Sequence, residues 1–98
     1  MKITEIECII LESPYAYGMK SDASDSHGPK YGFVVKVHTD EGITGVADGD
    51  SHPHVMKAII EAPTYIPAFA EGLKYAVIGE NPFEAVRIWD RMYQASFY

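Results

Sequence analysis

Cysteine is almost missing from this chain. Cys8 stands alone, so no intrachain disulfide can form and the fold has to be held by packing. Basic residues are scarce as well. Eight Lys and Arg face fourteen Asp and Glu, giving a net charge of -6. No basic stripe exists for a phosphate backbone to find, which excludes nucleic acid as a natural partner. No apolar run is long enough to span a bilayer, and Met1-Lys2 leads into alternating polar and apolar residues rather than the apolar core of a signal peptide. These traits exclude a membrane partner and are compatible with a cytoplasmic protein. Also absent are a Gly-rich phosphate loop, a nucleophile elbow and a CxxC pair.

What is present fits one soluble domain. The 98 residues allow one domain, and 47% hydrophobic with 22% charged content argues against disorder. The first half reads as strands. Residues 3–11 are rich in Ile and Leu, broken by Thr4, Glu5 and Glu7. Residues 31–39 alternate: Tyr31, Phe33, Val35 and Val37 share one face, and Lys36 and His38 take the other. Asp40-Glu41-Gly42 is a turn whose glycine can take a positive φ, and residues 43–47 return as a third strand. The expectation is a three-stranded antiparallel meander. Residues 13–30, between the first two strands, are rich in Ser, Asp, Gly, Pro and Tyr and read as a long loop.

The second half reads as three or so helices, making the class α+β. One covers 55–62, after Ser51-His52-Pro53 and before Pro63. A second covers about 67–78: Ile66, Phe69, Ala70, Leu73 and Val77 recur at helical spacing, Gly79 supplies a stop, and Gly72 is its weak point. The third starts with Asn81 as N-cap, Pro82 at the first position and Glu84 reaching back. Phe83, Val86, Trp89, Tyr93 and Phe97 form its apolar stripe. With no Gly, Pro or cationic last turn, it reads as a helix interrupted.

Taken singly, the residues able to do chemistry favour bland roles. His52 and His54 flank Pro53 and could offer two imidazoles to a metal, but a pair without further ligands reads as solvated loop. Asp48 and Asp50 could reach Mg²⁺, but their simpler reading is turn formation and capping of the next helix. Cys8 reads as a small strand hydrophobe, and Trp89 as core.

Order and wording add more. The opening Met1-Lys2-Ile3-Thr4-Glu5-Ile6-Glu7 leads to the long loop and then to Val37-His38-Thr39-Asp40-Glu41-Gly42-Ile43-Thr44-Gly45. That phrase resembles the V-x-T-D-E-G-I-T-G hairpin of mandelate racemase/muconate lactonizing enzyme capping domains, in the enolase superfamily. Residues 78–83, Ile-Gly-Glu-Asn-Pro-Phe, and 88–93, Ile-Trp-Asp-Arg-Met-Tyr, resemble that family's I-G-E-N/D-P and W-x-x-M-Y helix. One departure concerns the subgroup: the family often continues its hairpin as G-W-G-E, whereas Gly45 here precedes Val46-Ala47-Asp48.

The resemblance implies that 1–98 is an N-terminal capping domain, cut off before a catalytic (β/α) barrel. The barrel would carry the Mg²⁺ ligands and the bases that remove a proton α to a carboxylate. Dehydration of an acid sugar, racemisation and cycloisomerisation all begin with that step. The resemblance further implies no catalytic residue or cofactor in this chain, a carboxylate small-molecule substrate, and a homo-oligomer for the complete enzyme. The capping domain would act as a lid. The matching stretches are 13–30, with Tyr15, Tyr17 and Lys20, and 48–54, with Asp50, Ser51 and His52. The rival reading is a self-standing α+β binding module without catalysis. A severed capping domain should expose an apolar patch and associate or aggregate, whereas a self-sufficient module should be monomeric and fold cooperatively.

Overall fold

The computed structural model describes residues 1–13, 15–16, 19–20 and 30–96, with side chains described for 1–12 and 31–96. Its centre is an antiparallel sheet of three strands, β1 (Ile3–Ser13), β4 (Lys30–Thr39) and β5 (Thr44–Gly49), in the order β1-β4-β5. A two-stranded hairpin, β2 (Tyr15–Ala16) with β3 (Met19–Lys20), lies in sequence between β1 and β4. Three helices follow: α1 (Pro53–Glu61), α2 (Leu73–Val77) and α3 (Ala85–Ala95). The α+β class and the antiparallel meander agree with the sequence pattern.

The alternation in β4 decides which face is covered. Register pairs Ile6 with Val37, Cys8 with Val35 and Ile10 with Phe33, and on the far side Val35 with Ala47 and Phe33 with Gly49. Opposed residues share a face in an antiparallel sheet, so these side chains form the helix-covered side. Phe33 is buried there, while Val35 and Val37 pack against a core of Ile3, Ile6, Ala76, Val77 and Ala95. On the open face, His38 Nε2 lies 2.9 Å from Glu7 Oε1, and Nδ1 lies 3.2 Å from Thr44 Oγ1. The β4–β5 turn holds Gly42 at φ 78, a value that costs glycine nothing.

The start of β1 is fixed on two sides. Ile3 N donates to Glu80 O at 2.9 Å, and Gly79 N donates to Ile3 O at 2.7 Å. Lys2 N donates to Asp40 Oδ1, and the terminal amine lies 3.1 Å from Glu41.

Three expectations need correction. The second helix does not begin near Pro67; only Leu73–Val77 is helical. Residues 66–70 form a tight turn instead, with Ala70 N and Phe69 N both donating to Ile66 O and Ala68 at φ 68. Helical spacing of Ile66 and Phe69 misled because the Pro67-Ala68 turn fixes the backbone first, and Phe69 is left exposed. Gly72 sits where a Cβ would come within 2.5 Å of Ile60 O and 2.6 Å of Ala62 O. It lets the chain pass against the end of α1.

The third helix begins at Ala85, and Asn81 is not its cap. Asn81 Oδ1 accepts from Phe83 N at 3.0 Å and Glu84 N donates to Asn81 O, so residues 81–84 form a turn before the helix. The stripe read as core is not core either. Phe83, Val86, Trp89 and Tyr93 are 79%, 78%, 59% and 52% exposed. The sheet is met instead by Ile88, Met92 and Ala95. Among the described residues, no helix is long and apolar enough to cross a membrane.

Candidate functional site

A set of polar and aromatic groups meets at one end of the sheet, where β4 begins, β5 ends and α1 starts. Close backbone approach creates this place. Gly49 ends β5 opposite Phe33, and a Cβ there would lie 2.8 Å from Met56 Sδ and 3.0 Å from Phe33 Cδ1. Without side-chain bulk at 49, the first turns of α1 can seat Met56 on the sheet, leaving residues 50–54 as an exposed rim. Pro53 is buried at the first position of α1, where its ring suits the helical φ and its missing N–H costs nothing.

On that rim, Tyr31 meets the His54 ring edge-on at 6.1 Å between centroids, with the planes at 72°. The His52 ring lies 5.9 Å from His54. Asp50, Ser51, His52 and His54 are all exposed. His52 occupies the N-cap position without a side-chain cap bond, and no acidic residue sits in the first turn of α1. The positive end of the helix dipole therefore has no carboxylate of its own helix against it. Asp50 does not cap α1, contrary to the simplest sequence expectation, and Asp48 lies within β5 as an exposed strand residue. Asp48 opposes Val34, on the open face of the sheet.

The other predicted stretch, 13–30, leaves β1 at this same end, where Ser13 pairs with Lys30. Tyr15 and Lys20 are cross-strand partners in the β2–β3 hairpin, so the backbone brings these two positions together. Tyr17 lies outside the described residues. Sequence reasoning missed Tyr31 and His54 as members of the rim. The signal for Tyr31 was available: its period-2 position places it on the helix-covered face beside Phe33.

Chemically the rim offers aromatic faces, imidazoles, a hydroxyl and a carboxylate, groups that recognise a polar ligand. Among the described residues, no three His, Cys, Asp or Glu side chains gather where one ion could be held. The described residues therefore do not fit the Mg²⁺ that the resemblance implies for the complete enzyme, and no step of a reaction can be routed through that ion here. A second concavity, of about 730 Å³, is a broad open trough along α3 that includes Arg87 and Arg91. Both cations are already engaged: Arg87 Nε lies 2.9 Å from Glu80 Oε2, and Arg91 Nε lies 3.2 Å from Glu80 Oε1 and donates to Ala76 O. That trough is a structural clamp, and the rim is the better candidate site.

No family model matches the sequence. Solved structures do. A protein from Bordetella bronchiseptica RB50 assigned as a mandelate racemase, complexed with 2-oxoglutarate/phosphate, superposes with a TM-score of 0.69 at 24% identity. The match covers 98% of this chain and 23% of that one. Another structure so assigned, from the same organism, gives 0.67 at 26% identity, over 94% of this chain and 22% of that one. A protein from Roseovarius nubinhibens ISM assigned as a mandelate racemase/muconate lactonizing enzyme gives 0.70 at 24% identity, over 100% and 26%. The likeness is one of fold. This chain has the architecture of the N-terminal part of such proteins and spans about a quarter of their length.

Proposed function

We propose that residues 1–98 are the capping domain of a longer, Mg²⁺-dependent enzyme of the mandelate racemase/muconate lactonizing type, which removes a proton α to a substrate carboxylate. The observation that carries this reading is the fold match, which takes in nearly all of this chain and about a quarter of each neighbour. In the proposal the catalytic groups belong to a following barrel, whose residues would hold the metal, and that ion would supply Lewis-acid charge stabilisation. This chain supplies recognition. The β2–β3 hairpin, carrying Tyr15 and Lys20, and the rim of Asp50, Ser51 and His52 form a lid over the barrel mouth, joined by Tyr17 from the same loop. Lys20 is suited to an anionic substrate, and the tyrosines to hydroxyl groups. The complex of one neighbour with 2-oxoglutarate/phosphate is in keeping with a carboxylate ligand. Acid-sugar dehydration and racemisation are the reactions favoured, in a homo-oligomeric enzyme.

The test uses the complete polypeptide. Exchange of the α-proton in D₂O, measured across acid sugars and other carboxylates, should reveal at least one substrate. Lys20→Met should then lower kcat/KM by about 1–3 kcal/mol of transition-state stabilisation, the range for a charge-assisted hydrogen bond. No exchange with any carboxylate would defeat the enzyme reading. An unchanged kcat/KM in the variant would defeat the lid assignment alone.

A further inference from the structure

Helix α3 is apolar around a wider arc than the sheet can cover. At 100° per residue its apolar side chains span about half the circumference, from Ala95 and Ile88 through Met92 to Trp89, Tyr93 and Val86. Ile88, Met92 and Ala95 take the half against the core. The other half, led in by Phe83, faces outward, and Trp89 and Tyr93 stack on it at 5.2 Å with their planes 8° apart. Beside the stack runs an apolar groove of about 210 Å³ lined by Leu73, Trp89, Met92, Tyr93 and Ser96.

We infer that this outward sector of α3 is the surface on which the remainder of the longer polypeptide docks, through an uncharged helix or loop that buries Trp89 and fills the groove. The inference rests on the capping-domain reading and adds to it which face is covered. Two observations select the occupant. In the matched structures this same fold makes up about a quarter of the chain, so in such a polypeptide a covalently linked body is available at high effective concentration. The groove also reaches Ser96, the residue that follows α3, so a continuing chain would enter it with little loop to close. The open face of the sheet is the poorer alternative, because Glu7, His38 and Thr44 are already joined there in a polar row. A second copy fits less well: pairing α3 with its symmetry mate through Trp89 would bring Asp90 towards its own counterpart.

Hydroxyl-radical footprinting with mass spectrometry tests this, comparing the 98-residue chain with the complete polypeptide. Phe83 and Trp89 should oxidise readily in the short chain and fall severalfold in the complete one, while Tyr65, 83% exposed in the loop before α2, serves as the unprotected reference. Equal oxidation of Trp89 in both, with the complete enzyme active on a carboxylate, overturns the inference and leaves the proposed function standing. Protection of Trp89 in the short chain that grows with concentration also overturns it, because a second copy would then be the occupant. Protection in the complete polypeptide with no activity on any carboxylate supports the docking face and defeats the proposed function instead.

Discussion

Ala68 holds a backbone conformation that an L side chain resists. Its φ of 68 places Cβ against the following carbonyl, at a cost of roughly 1–2 kcal/mol. Glu71 helps to fix the turn: Oε1 accepts from Ala68 N at 3.2 Å and Oε2 from Thr64 Oγ at 3.1 Å. Ala68→Gly should relieve the strain while adding freedom to the unfolded chain, for a net stabilisation of about 0.5–1 kcal/mol in a urea titration. A loss of stability would mean that the turn is not strained. Such a residue is illegible in sequence, because nothing about Pro-Ala announces a left-handed second position. Cys8 was more legible. It is half-buried on the covered face, and burial, with Glu61 nearby, pushes its thiol up from the usual range. At neutral pH it should therefore react with a disulfide reagent more slowly than a free thiol does, and a faster reaction would contradict the burial.

At the scale of elements, strands were easier to read than helices. Period 2 in β4 is unambiguous, since a shift by one residue would turn Phe33 outward and Lys36 inward. In α3 the apolar arc is about twice as wide as the contact it makes, so Phe83, Val86, Trp89 and Tyr93 looked like core although Ile88, Met92 and Ala95 fill that role. The pattern told that α3 is a helix and could not tell which half the sheet would claim. The rim was half legible for a related reason. Composition marks 50–54 as polar loop, but its meeting with Tyr31 depends on the clearance at Gly49. The connection between α2 and α3 carries a testable electrostatic tie. Glu80 is mostly covered, and the hydrogen bond from Arg87, helped by the charges of Arg87 and Arg91, holds its carboxyl below the ordinary range. A depressed carboxyl stabilises the fold at pH values above its unfolded pKa, and that contribution is lost as the pH falls towards the folded value. Thermal unfolding of Glu80→Gln should therefore lose less stability than the parent between neutral pH and the acid range. Parallel pH profiles for the two proteins would show that the tie contributes nothing.

For the whole molecule, the core is thin. Besides Pro53, six apolar side chains are buried among the described residues, and an apolar cleft of about 240 Å³ lies between sheet and helices, lined in part by Ile6, Val35, Val37, Leu73 and Met92. A domain with so little buried surface gains from any body that covers its remaining apolar sector. The same economy bears on metal binding. With no three acidic or imidazole ligands gathered among the described residues, titration of the 98-residue chain with Mg²⁺ in a calorimeter should find millimolar affinity or weaker. Micromolar binding would require a ligand set that these residues do not form. The stitching of Ile3 to Gly79 and Glu80 has a further consequence, one that concerns time. Those bonds join positions more than seventy residues apart, and β1 must also wait for β4 to supply its sheet partner. During synthesis the first strand therefore emerges with neither edge satisfied. It can complete its pairing only after the turn beyond α2 has left the ribosome, so the nascent chain should gain its protease resistance late and in a single step.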